Sequence, residues 1–440
     1  MNRTLGLGLT LLGATLCFSI SLPAAARAQD PAAASPEVEA EVRAILENPR
    51  VQRAFRYLEE TDEQTMADLR ELTQIPAPPF MEEARGRRFA ERLEEIGVDS
   101  IWTDEVGNVV GLRRGRGDGT IVIAGHLDTV FPEETDVTIR QRGDTLFAPG
   151  IADDTRGVVT VLAILRAMNA AEVETDFDIW FVGNVGEEGL GDLRGMKHLF
   201  REGAPRIDGF ISIDGLGRDG VTNAGLGSYR YLVTFAGPGG HSWGAFGLAN
   251  PMHALGRAIA HFDAAALEFT SAGGPRTSYN VGRMGGGTSV NSIPFDAWIE
   301  VDMRSESPES LDRIDAIFRD AMQKGLEEEN AGRARGEPLT VVVDKIGDRP
   351  SGEVAADDPF VQRAVAATSL TGGTPRLGRS STDSNIPISL GIPAVTIGGG
   401  GAGGGSHSLD EFYINRDGPE GIQRALLLLL AQAGLSPVME

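Results

Sequence analysis

The stretch Ile121–Phe131 reads IVIAGHLDTVF. Four apolar residues, Ile121 to Ala124, form a run suited to a buried strand. Gly125 loosens the backbone, and His126, Leu127 and Asp128 follow. In extended chain, residues two apart point the same way, so His126 and Asp128 emerge together. They do so at the carboxyl end of a strand, where open α/β sheets place their ligands. One ring nitrogen of a histidine can hold a metal while a carboxylate fixes the other. By itself His-x-Asp is also compatible with an ordinary polar strand end, so the rest of the chain has to decide.

Outward from this stretch the pattern is strand and helix in alternation. Upstream, helical periodicity covers Pro36–Glu47, Arg50 to about Leu72, and Met81–Ile96, followed by a hairpin of Val98–Trp102 and Asn108–Leu112. Downstream come short strands in Val137–Phe147, an apolar helix Gly157–Ala170, a strand Asp178–Val182, a helix Met196–Glu202 and a strand Phe210–Ile213. That order predicts a sheet covered by helices. The rhythm then changes. Strand Arg230–Ala236, helix Asn250–Ala264, strands Thr277–Met284 and Ala297–Arg304, helix Pro308–Glu329 and strand Leu339–Asp344 give the βαββαβ order of a ferredoxin-like unit. Helix Asp357–Leu370, strand Ala394–Gly398 and a helix near Pro419–Ala433 resume the first pattern. A second domain, 228–345, is therefore expected as an insertion between 29–227 and 346–440.

The 440 residues, 41% of them hydrophobic, can fill two cores. Residues 1–28 read as a secretory signal. Arg3 opens it, Leu5–Leu22 is apolar, and Ala26-Arg27-Ala28 is an A-x-A-like cleavage site. Export to the periplasm or the medium is the expectation, with no membrane attachment after cleavage. Cys17, the one cysteine, falls inside that segment, so the remaining chain holds neither a disulfide nor a thiol nucleophile. The formal net charge is −23, which disfavours nucleic acid and anionic membrane as partners.

Five turns bear acids or histidine beside apolar elements: His126 with Asp128; GIADD at Gly150–Asp154; Glu187-Glu188 in GEEG; Asp214 after FISI; and His407 in GGGSHSLDEF. Each has a plainer reading as a helix cap, a solvated turn charge or a loop histidine. Together, two histidines and several carboxylates suit zinc in an open, catalytic setting. Ser380-Ser381-Thr382-Asp383-Ser384-Asn385 offers hydroxyls and a carboxylate to contact substrate or brace a ligand. No suitable GxSxG elbow accompanies these serines, which excludes a serine hydrolase of that type. His198, His253 and His261 lie in predicted helices without a motif and read as structural.

With these motifs in hand, the chain resembles the co-catalytic di-zinc exopeptidases and amidohydrolases, among them peptidase T, glutamate carboxypeptidase, succinyl-diaminopimelate desuccinylase and aminoacylase. GHLDTVF, GIADD, EEG, the aspartate after FISI, GGHS and HSLDEF carry the resemblance. It implies an α/β catalytic domain with a mixed central sheet flanked by helices, plus an inserted ferredoxin-like lid that also dimerises. It implies two zinc ions per subunit, with cobalt or manganese as alternatives. His126 and Asp214 would hold one, Glu188 and His407 the other, and Asp153 would bridge them. Asp128 would orient His126, and Glu187 would be the general base. His241, in GPGGHSW, would reach the partner's active site in a homodimer, and Asn291 and Arg304 would bind substrate. The implied activity is hydrolysis of an amide bond in a short peptide, by an aminopeptidase, dipeptidase or carboxypeptidase. The alternatives are removal of an acyl group from an N-acyl amino acid and, in a different class, a non-catalytic peptide-binding relative. The chain departs from many relatives at Thr155, where a lysine is usual, with Arg156 one residue later, and in the glycine-rich run before His407.

Overall fold

A computed structural model describes residues 31–436; the segment read as a signal lies outside them. Nine strands build the main sheet. Its order is Ser100–Thr103, Val109–Arg113, Asp178–Asn184, Thr120–His126, Gly209–Ile213, Ala394–Ile397, Gly220–Gly225 and Gly352–Glu353, with Arg376–Ser380 pairing on Gly220–Gly225. Thr120–His126 lies parallel to both its neighbours, and Gly209–Ile213 is parallel to Ala394–Ile397, while the outer pairs are mostly antiparallel. Every residue from Ile121 to His126 is buried, as a strand covered on both faces requires.

The covers follow from the sequence. Helices Arg156–Ala170 and Gly418–Ala433 are apolar nearly all round and buried along almost their whole length, so they form one face of the sheet together with the N-terminal helices and Pro359–Leu370. Met196, Leu199 and Phe210 belong to the core on the other face. The helical pattern expected from Arg50 to about Leu72 is two helices, Pro49–Glu60 and Asp62–Thr73. Thr61 separates them: its hydroxyl and its N–H both donate to the Tyr57 carbonyl, which closes the first helix. Among the described residues no helix is long and apolar enough to cross a membrane.

The ferredoxin-like unit has its own core. Its antiparallel sheet runs Thr277–Gly286, Asp296–Ser305, Gly227–Ala236, Thr340–Arg349, and helices Pro251–Ser271 and Pro308–Gly332 pack on it. Burial alternates strictly along Asp296–Ser305, so one face is sealed by Phe262, Phe318 and Tyr231 while the other stays open. The last strand runs on to Arg349, beyond the Asp344 expected from composition. A bulge between Lys345 and Gly347 absorbs one residue and lets pairing continue to Ser228. Both crossings between this unit, hereafter the lid, and the main sheet therefore lie side by side.

A small sheet of Arg140–Arg142, Thr145–Phe147, Phe412–Ile414 and Ala402–Gly404 links the GIADD turn to the His407 loop. The glycines before His407 serve close packing here. A Cβ on Gly400, at φ +82°, would meet the Gly418 carbonyl at 2.6 Å, and one on Gly401 would enter the Tyr413 ring.

Candidate metal centre

The four central parallel strands, Asp178–Asn184, Thr120–His126, Gly209–Ile213 and Ala394–Ile397, end at one edge of the main sheet, and the first three of them deliver site residues at or just beyond their ends. His126 closes Thr120–His126, Asp178–Asn184 leads to Glu187 and Glu188, and Gly209–Ile213 leads to Asp214. The GIADD turn precedes Arg156–Ala170, and the small sheet delivers His407.

These residues converge. Ligand atoms of His126, Asp153 and Asp214 lie within 4.8 Å of one another, as do those of Asp153, Glu188 and His407. Asp153 belongs to both groups. Its Oδ1 is 3.2 Å from His126 Nε2 and its Oδ2 is 3.3 Å from His407 Nε2. Glu188 Oε1 is 2.9 Å from the same His407 nitrogen. A third group joins His126, Glu187 and Glu188. The peptide between Asp153 and Asp154 is cis.

The electrostatics suit a cation. Burial opposes protonation of His126, but the hydrogen bond to Asp153 and the surrounding carboxylates outweigh it and raise its pKa well above the ordinary value. Hydrogen bonds to Asp153 and Glu188 push His407 up to about 10. Burial, with the charge of Asp153, lifts Asp214 to about 7. Burial would raise Asp153 too, yet the two histidines hold it below its ordinary value. Each imidazole thus sits where positive charge is favoured, and a divalent ion held by its Nε2 would satisfy the same carboxylates. Two nitrogens and three carboxylates match the ligand chemistry of zinc.

A layer of buried carboxylates holds these groups through main-chain amides. Asp128 accepts from the N–H of Glu187 (3.0 Å) and of Glu188 (2.7 Å). His126 Nδ1 faces the Asp128 carbonyl oxygen at 3.0 Å, nearer than the Asp128 carboxylate at 3.7 Å. Asp128 therefore bears on His126 through its backbone and on the Glu187–Glu188 turn through its side chain. Asp154 accepts from the N–H of His126 (3.1 Å) and of Gly157 (3.0 Å). Glu411 accepts from Gly150 (2.9 Å), Ala152 (2.8 Å) and Asp153 (3.0 Å). Asp383 accepts from Asn184 at 2.7 Å, and burial raises it to about 6.

Two partners of the site, Glu411 and Arg349, carry no local sequence signal that ties them to it. Glu411 was visible in SLDEF, but nothing local tied it to Gly150. Arg349 donates from Nη1 to Glu187 Oε1 at 2.9 Å and to Ser381 Oγ at 3.0 Å, and from Nη2 to the Glu187 carbonyl. Burial pushes the Glu187 pKa well up, against the opposing charge of Arg349. Arg156 does not bring its charge to the site: it donates to the carbonyls of Gly399 and Gly418 and lies over the Tyr413 ring.

His241, Asn291 and Arg304 make their hydrogen bonds within the lid and none to this cluster. His241 is exposed, and its Nδ1 accepts from the N–H of Trp243 and of Gly244, both at 3.2 Å. That leaves Nε2 to carry the proton. Asn291 lies alongside, its carbonyl accepting from Ser242. Arg304 donates from Nε to Asp302 at 2.8 Å. Trp243 is 87% exposed and so is not lid core. His198, His253 and His261 face Asp104, Glu329 and Glu328 instead of the cluster.

Comparison with known proteins adds four findings. Residues 122–431 match the family described as Peptidase family M20/M25/M40. A protein of Pyrococcus abyssi provisionally named a LysW-lysine/LysW-ornithine hydrolase is 36% identical over 160 residues, which is 36% of this chain and 42% of that one. The chain thus spans under half the length of that relative. Carboxypeptidase G2 of a Pseudomonas species is 26% identical over 66% of this chain and 69% of its own. In fold, aminopeptidase PepT of Bacillus cereus superposes with a TM-score of 0.64 at 21% identity, covering 84% of this chain and 97% of that one.

Proposed function

The chain belongs to Peptidase family M20/M25/M40, and on that footing we propose that it hydrolyses amide bonds of short peptides as an exported exopeptidase with two zinc ions. The observation that carries this reading is Asp153, whose two oxygens face different histidines within two ligand groups that share it. His126 and Asp214 would hold one ion, Glu188 and His407 the other, with Asp153 between. Bound there, such a pair supplies Lewis acidity toward a water and toward the scissile carbonyl.

The remaining work falls to the chain. Glu187, in the same pocket and not assigned as a ligand, takes the proton of the attacking water and later gives it to the leaving amine. Asp128 keeps Glu187 and Glu188 in register by gripping their two amides. His241, with its proton on Nε2, donates to the oxyanion from the lid of a second subunit. Arg304 keeps its Nη groups for a substrate carboxylate while Asp302 holds Nε, and Asn291 adds an amide beside His241. A homodimer fits the exposed Trp243 and Phe246 next to His241, apolar surface that a second copy would cover.

The test pairs metal analysis with free, N-acetylated and C-amidated di- and tripeptides, with and without chelator. Two metals and cleavage that needs a free amino terminus identify an aminopeptidase or dipeptidase. Activity only on acylated substrates with a free carboxylate moves the enzyme to the carboxypeptidase or deacylase branch. Absence of metal, with no effect of chelator, would end the proposal.

A further inference from the structure

Arg349 is the last residue of the strand by which the chain leaves the lid, and it pairs with Ser228 on the strand by which the chain enters. It is 3% exposed. Its guanidinium holds Glu187 twice, by Oε1 and by the main-chain carbonyl, and reaches Ser381 of the catalytic part. Two neighbours at the lid root grip the same segment. Arg230 Nη1 donates to the Gly189 carbonyl at 2.7 Å, and the Asp348 N–H donates to the Asp192 carboxylate at 2.9 and 3.0 Å. The turn that carries Glu187 is thus clasped by both strands joining the lid to the rest of the chain.

The chemistry of this contact is specific. A planar guanidinium can fix a side chain and its own backbone at once, which an ammonium cannot. With Oε1 occupied, the second oxygen of Glu187 is the one left to receive a proton, on a carboxylate that lies within 4.8 Å of ligand atoms of His126 and Glu188. A base displaced by about 1 Å loses much of its rate. Because Arg349 sits at the paired crossing, rotation of the lid there leaves its backbone near the axis but turns the long side chain that projects from it, and so shifts the guanidinium against Glu187.

We infer that Arg349 is a positioning residue that couples the lid to Glu187, so that the set of the lid decides whether the base is aligned for proton transfer. This inference rests on the reading of Glu187 as the base. The test uses the full chain, with Arg349→Met, Arg349→Lys and Glu187→Gln compared by metal content, kcat, KM and hydrogen exchange of the 187–192 segment. Arg349→Met is expected to keep its metal and to lose about 100-fold in kcat with little change in KM, at the upper end for loss of a residue that orients another. Added guanidinium should restore part of that loss, and exchange across 187–192 should quicken. Arg349→Lys, which covers the case of a Met variant that does not fold, should lose about tenfold, since one ammonium cannot hold both atoms. Wild-type kcat and unchanged exchange in either variant would overturn the coupling. So would a loss that guanidinium leaves untouched while metal is shed, since that marks a merely structural role. Near-normal turnover of Glu187→Gln would instead remove the base assignment on which the inference stands.

Discussion

Replacing Glu411 should unfix Asp153, the residue shared by two of the candidate ligand groups, and the size of the effect can be worked from the hydrogen bonds of Glu411. Glu411 is fully buried, and its Oε1 accepts from Ala152 and Asp153 while Oε2 accepts from Gly150. In Glu411→Gln one oxygen remains and can keep the Ala152 and Asp153 amides. The new NH2 then faces the Gly150 N–H, donor against donor. One orphaned buried amide costs about 1–3 kcal/mol. Glu411→Ala orphans all three amides and leaves a cavity that water can enter, so about 3–6 kcal/mol is expected, below the threefold sum because water satisfies part of the loss. The same change frees Asp153 to swing, and metal affinity should fall about 10- to 100-fold. Urea denaturation of the metal-free chain gives the first quantity, and competition against a chelator of known affinity gives the second. If Glu411→Ala unfolds at the wild-type urea concentration and binds metal as tightly, then Glu411 does not hold the GIADD turn and the layered account of the site fails.

Four other outcomes follow from the geometry. Asp153→Ala removes the ligand common to both groups and should leave less than one metal per chain, measured by elemental analysis. Asp128→Asn puts an amide NH2 against the N–H of Glu187 or Glu188 and should cut kcat by about 10- to 100-fold with KM nearly unchanged, read in steady-state kinetics. His241→Ala should keep its metal and lose about 10²–10³ in kcat. Mixing it with Glu187→Ala subunits should recover turnover, because one site of the mixed dimer regains both residues, and failure to recover would exclude action across subunits. Gly157→Ala would drive a Cβ into the Ile213 carbonyl and the Asp154 carboxylate, and should lower stability by about 1–3 kcal/mol in thermal or urea unfolding.

The sequence exposed what is local and hid what is distant. His126, Asp153, Glu188 and Asp214 each follow an apolar strand or precede a helix, and His407 follows a glycine-rich run, so local sequence marks them one by one. The βαββαβ order of the lid was equally legible, because alternation in Asp296–Ser305 and periodicity in Pro308–Gly332 are properties of single segments. Arg349 meets Glu187 across 162 positions, and Glu411 meets Gly150 across 261. No periodicity reports such pairs. The break at Thr61 was missed for a related reason: the residues on both sides favour helix, and only a hydroxyl turned back on Tyr57 stops the first one.

The charges of the site divide into two layers with different means of neutralisation. Asp153, Glu188 and Asp214, with Glu187 beside them, bring their oxygens into the shared ligand groups, and their charge is what a pair of dications would meet. Asp128, Asp154 and Glu411 lie behind them, buried, and four further charges would be far too many for the same ions if Asp383 were counted as well. The protein answers the outer layer with main-chain amides, two each for Asp128 and Asp154 and three for Glu411, and with the buried Arg85, which donates to the Leu127 carbonyl within reach of Asp128 and Asp154. Amides at turns cannot be titrated away or exchanged with solvent ions. The outer carboxylates are thereby fixed to the fold, and only the inner set is left with charge to offer a metal. The family motifs at these positions therefore carry two separate tasks, and a substitution in the outer layer should disturb the geometry of the pocket before it changes its charge.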